Sequence, residues 1–446
     1  MPRPTELPWR KPRHELLLLV LVGVVALSPV YGINSQDASR LCLSHALVHG
    51  RLTIDGCIGN SVDKALYHGH YYANKAPGMS VLEVPAAEAT GLPLPSRWHW
   101  EDLHLWIVRV LSSGIAFLVC AFLVGRVAEG IAPGLGGLTL VTFAFGTLAS
   151  SFAAANFDHL TAGASGFGAF ILLWSRRPLA AGLAAGLAVF VEYQAAAIVV
   201  ILGIYALWRG RRMLGRFAAG VLPGAVLLAA YDWAAFGAPW HTALNYDDSR
   251  FRGEQTSGLL GTHAPNLHST RLVLVGDRGL LTTSPVLLAA AIGLYLLWRR
   301  GVKVEAVVCA FVAAAFFFAE CGYFNPYGGV SPGPRYVIPA LPFLALGLPL
   351  AFERMRRVTV LLAAASIVAS TVLMLTWMNV YSYPGTVWRQ ILVAAYHRGD
   401  SLLVRELVKN VIGWAGPNRV EAAAILCALV LASAAIALRD APPLRR

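Results

Sequence analysis

Long apolar stretches recur along the whole chain and are separated by shorter polar connections. Most are close to the roughly 20 residues that an α-helix needs to cross a bilayer, which predicts an all-α, polytopic membrane protein with about 12 transmembrane helices. The segment 178–208 fits either two short helices joined by a tight turn near Glu192 or one long buried helix. The stretches lie at about 15–32, 105–125, 134–154, 158–175, 178–191, 194–208, 217–236, 283–298, 304–321, 336–352, 358–378 and 420–438.

The connections differ in length and charge between the two sides of this predicted bundle. Short basic connections alternate with long ones, and positive charge favours the cytoplasmic side. We therefore expect a plasma (inner) membrane protein with both termini in the cytoplasm. The long segments, which we expect outside, are 33–104, 237–282, 322–335 and 379–419.

Composition agrees with a membrane protein of one domain, spanning residues 1–446. The chain is 57% hydrophobic and 13% charged, with a formal net charge of +12. So little polar surface cannot cover a soluble globule of this length. The positive charge is accounted for by the basic cytoplasmic connections, so we expect no nucleic-acid partner.

The first outer loop, 33–104, has a helical pattern of its own. Ser35 can cap a helix from Gln36 to about His49, and Gly50 can end it. Its mixed polarity suits a helix at the membrane interface, with Asp37 in the first turn.

The last outer loop, 379–419, carries apolar residues at helical spacing between basic ones. This pattern fits one or two amphipathic interfacial helices, and it equally fits a simple packing helix.

Two cysteines, Cys42 and Cys57, share the first outer loop. A disulfide is permitted on the outer side, and a free buried pair is an equal alternative.

Two carboxylates are predicted at the outer face, Asp37 after the first span and Asp158 between the third and fourth. Asp37 can be a general base for an acceptor hydroxyl, or a helix N-terminal charge stabilised by the helix dipole. A charge such as Asp158 is costly among apolar helices without a task or a partner, which favours a functional role.

Two basic residues adjoin irregular, Gly/Pro-containing segments at the same face. Lys75 precedes Ala76-Pro77-Gly78, and Arg335 follows a Gly/Pro-rich loop. Either can bind a phosphate. The alternatives are a solvated lysine and an arginine that extends to the membrane surface.

Several motifs recur in an order known from one enzyme superfamily. Asp37 stands three residues before Arg40, and Tyr72 three before Lys75-Ala76-Pro77. This loop resembles the first outer loop of the GT-C superfamily of polyprenyl-phosphate-sugar transferases. Within it, the match is to the branch of protein O-mannosyltransferases and lipid A aminoarabinose transferases. That branch usually has Lys-Pro-Pro where this chain has Lys75-Ala76-Pro77.

The resemblance continues along most of the chain. Asn156-Phe157-Asp158 is similar to that branch's second acidic motif. Gly186-Leu187-Ala188 before Glu192, and the run from Arg335-Tyr336 to Pro342, are similar to its later helices.

This resemblance implies a hexosyl- or pentosyltransferase that uses a polyprenyl-phosphate-linked sugar and a glycan, lipid or protein acceptor. Asp37 would be the base, and Asp158 would orient the acceptor. No cofactor is expected, and a divalent cation is left open. The alternatives are a transporter or flippase for a lipid-linked sugar, and a non-catalytic assembly factor. The implied substrate-binding residues are Arg40, Tyr72, Lys75, Glu192, Arg335 and Tyr336.

Overall fold

The structure is a computed structural model. It describes residues 7–31, 33–59, 61–91, 103–248, 252–259, 261–329, 331–376, 388 and 419–443. The predicted helices of the last outer loop, 379–419, therefore lie almost wholly outside the described residues.

Within these residues the regular secondary structure is helical, apart from one short hairpin and a few isolated bridges. The elements are α1 (Glu15–Leu27), α2 (Ser35–Val48), α3 (Asp55–Ile58), β1 (Lys64–Tyr67), β2 (His70–Ala73), α4 (Gly78–Thr90), α5 (Leu103–Arg109), a π-helical turn (Val110–Gly114), α6 (Ile115–Ile131), α7 (Gly136–Gly146), α8 (Ala149–Phe152), α9 (His159–Trp174), α10 (Pro178–Val191), a 3₁₀ turn (Tyr193–Ala195), α11 (Ala196–Arg209), α12 (Arg211–Phe236), a 3₁₀ turn (Ala243–Tyr246), α13 (Arg252–Thr256), α14 (Leu267–Val275), α15 (Leu280–Thr283), α16 (Val286–Arg299), α17 (Lys303–Gly322), a 3₁₀ helix (Arg335–Ala340), α18 (Leu341–Ala345), α19 (Leu348–Arg354), α20 (Arg356–Thr376) and α21 (Arg419–Asp440).

The helices confirm a multi-pass, all-α membrane protein. Among the described residues, five helices are long and apolar enough to cross a bilayer, and two bent helix pairs raise the number to seven. Five shorter apolar helices lie between them, and the predicted stretches all coincide with one of these helices or pairs. The segment 178–208 divides into α10 and α11 at Glu192, which decides between its two interpretations. The number of crossings stays a prediction.

Helix α2 begins where the sequence predicts, with a different cap. Asn34 is the cap: its side chain accepts from the backbone N–H groups of Gln36 and Asp37, and the Asp37 carboxylate accepts from the Asn34 N–H. This reciprocal pair satisfies amide groups that a helix start leaves unpaired. Most of α2 is buried, and Ser44 joins it to α4 by donating to the Ser80 carbonyl at 2.9 Å.

The hairpin β1–β2 was not expected from the sequence. Its strands pair antiparallel, from Lys64 with Ala73 to Tyr67 with His70, around the two residues His68 and Gly69. Both turn residues have positive φ, 50° and 84°, as a tight two-residue turn that follows the strand twist requires. The turn brings Asp63, before β1, and Lys75, after β2, to the same end of the hairpin.

Cys42 of α2 and Cys57 of α3 form a disulfide in the structure. The bridge closes a loop of the first outer segment and decides between the two alternatives open from the sequence. Disulfides persist on the oxidising side of a membrane, which agrees with the external placement that we propose for this loop.

Ion pairs gather several helix termini at one end of the bundle. Glu15, at the start of α1, accepts from Arg126 near the end of α6 at 2.7 Å. His14 lies 2.8 Å from Asp440 at the end of α21. The beginning of α1 and the end of α21 therefore share one face of the bundle.

Glycines allow α10 and α12 to pack backbone against backbone. A Cβ atom at Gly182 would lie 2.1 Å from the Phe217 carbonyl oxygen, and one at Gly224 would lie 2.3 Å from that of Gly186. Small residues spaced four apart are a common means of close helix packing in membranes. This seam fixes α10, whose end carries Glu192.

Candidate functional site

An open cavity lies where α2, the segment after β2, the start of α9 and the α10–α11 junction meet. Its walls carry charged, amide and aromatic side chains. They are Gln36, Arg40, Asn74, Lys75, Ala76, Asp158, His159, Glu192, Tyr193, Gln194, Leu244, Tyr323 and Tyr336.

One wall is basic and aromatic. Lys75 lines the cavity, and its Nζ lies 3.4 Å from an oxygen of Asp63. Arg335 is buried behind Tyr336, to whose hydroxyl it donates a hydrogen bond of 3.2 Å. Its guanidinium also packs over the rings of Phe157 and Tyr336, at 5.2 and 5.1 Å from their centroids. A cation held between aromatic faces keeps its charge close to the cavity without being solvated.

The acidic wall, which adjoins the basic one, is built on a buried ion pair between Arg40 and Asp158. Arg40 Nη2 lies 2.8 Å from Asp158 Oδ2, and Arg40 Nη1 donates to Gln36 Oε1 and to the Asn156 carbonyl, each at 2.9 Å. Burial opposes ionisation of Asp158, but the charges of Arg40 and His159 hold its pKa below the usual range. Asp158 therefore faces the cavity as a carboxylate.

Asp158 also belongs to a compact cluster with His159 and Glu192. His159 Nδ1 lies 2.9 Å from Glu192 Oε1 and 3.5 Å from Asp158 Oδ1. All three residues are buried, and one ligand atom from each lies within 4.8 Å of the others. This spacing is compatible with a divalent cation.

Asp37 does not line the cavity. It is fully buried, and Arg109 donates to both of its carboxylate oxygens, at 3.2 and 2.5 Å, while the Asn34 N–H donates at 2.7 Å. This arrangement fits the helix N-terminal charge, one of the two roles weighed from the sequence. The role of Asp37 as a base stays a prediction, and both of its oxygens already accept hydrogen bonds from protein donors.

Glu83 is a further buried carboxyl group, outside the lining of the cavity. Asn156 Nδ2 donates to Glu83 Oε2 at 3.2 Å, and the Asn156 carbonyl accepts from Arg40. Burial raises the pKa of Glu83 to about 8, although Arg40 and Asn156 act in the opposite direction. At neutral pH this group is therefore mostly neutral.

The residues singled out in the sequence thus fall into two groups. Arg40, Lys75, Asp158, Glu192 and Tyr336 line one cavity. Asp37, Tyr72 and Arg335 lie outside its lining. The ring of Tyr72 lies 5.2 Å from that of Phe236, and Arg335 donates to the hydroxyl of Tyr336, which does line the cavity.

Sequence reasoning missed several residues of this region. Asn74 lines the cavity and donates to Asp247 at 2.9 Å, which attaches the second outer loop to the hairpin. Arg109 carries a visible signal, because it is a charge inside a predicted span. His159, next to Asp158, carries the same kind of signal, because it is a polar residue inside a predicted span. Asp63 and Glu83 stand out only through partners distant in the chain.

The fold can be compared with solved structures. No family model and no curated protein matches the sequence. The structure is similar to that of ArnT from Cupriavidus metallidurans bound to undecaprenyl phosphate, with a TM-score of 0.57 and 16% identity, over 96% of this chain and 76% of that one. It is also similar to the Archaeoglobus fulgidus oligosaccharyltransferase tethered to an acceptor peptide, with a TM-score of 0.52 and 14% identity, over 81% of this chain and 54% of that one.

This chain shares the fold of these two GT-C structures. The resemblance seen in the sequence motifs is thereby confirmed at the level of the fold. Sequence identity is low in both comparisons, so the GT-C likeness establishes the architecture, and the chemistry has to be argued from the cavity.

Proposed function

We propose that this chain is a membrane glycosyltransferase that moves a sugar from a polyprenyl-phosphate donor to an acceptor at the outer face of the plasma membrane. The observation that carries the proposal is a single cavity with a basic wall and an acidic wall within a GT-C fold. Such a cavity can bind both the phosphate of the donor and the acceptor hydroxyl.

The basic wall would bind the donor phosphate. Lys75 offers an ammonium group directly to the cavity, and Arg335 adds a fixed positive charge behind Tyr336. As the bond to the sugar breaks, negative charge grows on the leaving phosphate. Cations placed in advance where charge develops stabilise the transition state.

The acidic wall would receive the acceptor. We assign the base to Asp158, because its carboxylate lines the cavity and is kept ionised by Arg40. Asp37 would then fix Arg109 and the start of α2, so the base proposed from the sequence is moved from Asp37 to Asp158. Glu192 and His159 would hold further hydroxyl groups of the sugar or the acceptor.

The cluster of Asp158, His159 and Glu192 could hold a divalent cation, which would supply Lewis-acid stabilisation when bound. We propose that transfer needs none, because Arg40 and the His159 ring already contact the two carboxylates. Chelation by EDTA should leave the rate unchanged. A loss of rate that Mg²⁺, Mn²⁺ or Zn²⁺ restores would assign the cluster to a cation instead.

The proposed activity can be tested with purified protein and a panel of radiolabelled undecaprenyl-phosphate sugars. We expect one sugar to be transferred to envelope glycan, lipid or protein, with release of undecaprenyl phosphate. Lys75→Ala and Arg335→Ala should each weaken donor binding by about 10- to 100-fold, as expected for loss of a charge-assisted contact. Folded protein that transfers no sugar, but moves a lipid-linked sugar across vesicles, would show a transporter instead.

A further inference from the structure

The cationic wall already contains an anion of its own. Asp63 lies against Lys75, and its second oxygen accepts a hydrogen bond from the Ser35 hydroxyl. Both partners of the ion pair are largely shielded, with 17% of the Lys75 side chain and 16% of the Asp63 side chain exposed. Asp63 does not line the cavity, so its carboxylate lies just behind the lysine.

Asp63 interacts with more than one cation. Although burial opposes ionisation, Lys75, the Ser35 hydroxyl, Arg335 and Arg40 together hold the pKa of Asp63 below its usual range. The carboxylate is therefore ionised at neutral pH. It is a permanent negative charge among the cations that the proposed donor phosphate would meet.

The charge of the phosphate changes during the proposed reaction. The donor is a phosphodiester with one negative charge. Transfer forms a bond between the acceptor oxygen and the sugar, and the acceptor proton passes to Asp158. The bond between the sugar and the phosphate oxygen breaks, and its electron pair stays on the leaving phosphate. The product is a polyprenyl phosphate monoester, whose charge near neutral pH is about −1.5 to −2. A purely cationic site would bind this product more tightly than the donor and release it slowly.

We propose that Asp63 is a specificity-determining residue that disfavours the dianionic product over the monoanionic donor, and so limits product inhibition. The inference rests on the proposed function of the same cavity. A fixed negative charge behind Lys75 repels the two charges of the monoester about twice as strongly as the single charge of the diester. At an effective dielectric constant near 20, one additional negative charge on a phosphate bound at Lys75 changes the affinity for that phosphate by on the order of tenfold.

Two probes separate charge from sugar recognition: undecaprenyl phosphate and its methyl diester, which share the lipid and differ by one charge. Binding to full-length protein in nanodiscs at pH 8 should show that the wild type prefers the monoester by less than about tenfold. Asp63→Asn should tighten both probes, and should tighten the monoester about tenfold more than the diester. In the transfer assay, inhibition by added undecaprenyl phosphate should strengthen in parallel.

Matched controls define the other outcomes. Asp55→Asn removes an exposed carboxylate of the same loop, hydrogen-bonded to His70, and should change neither affinity. Asp63→Glu should restore the wild-type preference. An unchanged ratio in Asp63→Asn, or equal weakening of both probes, would overturn the inference, since equal weakening marks mere support of Lys75.

A different result would contradict the proposed function itself. If Lys75→Ala leaves both affinities unchanged, the cavity does not hold the lipid phosphate, whatever Asp63 does. If Asp63→Asn does not fold, the ratio of the wild-type affinities for the monoester and the diester decides alone. A preference for the monoester well above about tenfold contradicts the inference.

Discussion

At the scale of single residues, the two carboxylates Asp37 and Asp158 each pair with a buried arginine, but only Asp158 reaches the cavity. We predict that Asp158→Asn lowers turnover by about 10²–10⁴, the usual effect of losing a general base, while donor binding persists. Single-turnover transfer and donor binding measure the two effects separately.

Asp37→Asn should act mainly on stability, because it leaves the fully buried Arg109 without its carboxylate partner. We expect a lower melting temperature and a turnover that recovers when the protein is assayed well below it. A well-folded Asp37→Asn protein without activity, beside an active Asp158→Asn, would return the base to Asp37.

Glu83 makes the stability of the protein depend on pH. Its pKa is about 8 in the fold, where burial raises it above the usual value near 4.5. The folded state therefore holds a proton that the unfolded chain has lost, and stability falls as pH rises between these two values. We predict that Glu83→Gln, which keeps an acceptor for Asn156, removes most of the fall in melting temperature between pH 6 and pH 8.

The neighbouring Glu88 on the same helix is exposed and provides a matched control. Glu88→Gln should reproduce the wild-type pH profile. A Glu83→Gln profile equal to that of the wild type would show that Glu83 ionises normally in the fold.

These residues also show how far the sequence could locate the site. Asp158, Lys75 and Glu192 could be found because a charge or a Gly/Pro turn interrupts an apolar pattern. Glu83 could not, because its importance depends on Asn156, 73 residues away. The environment of Asp37 depends likewise on Arg109, at a separation of 72 residues.

At the scale of elements, the glycine seam between α10 and α12 should be sensitive to any added side chain. Gly224→Leu would drive a side chain into the backbone of Gly186, and overpacking of this kind costs about 1–3 kcal/mol or more. We predict a lower melting temperature in detergent and reduced donor binding, because the seam positions the end of α10 at Glu192.

Gly215 is the control within the same helix, since a Cβ atom there would meet no atom within 4 Å. Gly215→Leu should leave stability and binding nearly unchanged. Equal effects of the two substitutions would show that the loss follows from glycine replacement in general.

The apolar stretches predicted the helices well, because length and hydropathy determine a membrane helix locally. The hairpin was missed for the opposite reason. Its strands have four residues each, and four residues are too few for an alternating pattern to be distinguished from an irregular turn.

At the scale of the whole molecule, orientation in the membrane remains a prediction from the charge pattern. Val62 is exposed beside the cavity end of the bundle, and Arg212 is exposed in the basic first turn of α12. In a background without the exposed Cys427, Val62→Cys should react with a membrane-impermeant maleimide in intact cells. Arg212→Cys should react only after lysis, and the reverse pattern would contradict the topology.

The hairpin has a consequence for how the chain tolerates insertions and deletions. Asp63 and Lys75 meet because the pairing of Lys64 with Ala73 aligns the two ends of a strand pair around a fixed turn. Losing one residue from each strand keeps the ends aligned, whereas losing a single residue from one strand turns its side chains to the other face. The lengths of β1 and β2 are therefore coupled. Variants that shorten both strands by one residue should keep Asp63 beside Lys75, and variants that shorten only one strand should lose this contact.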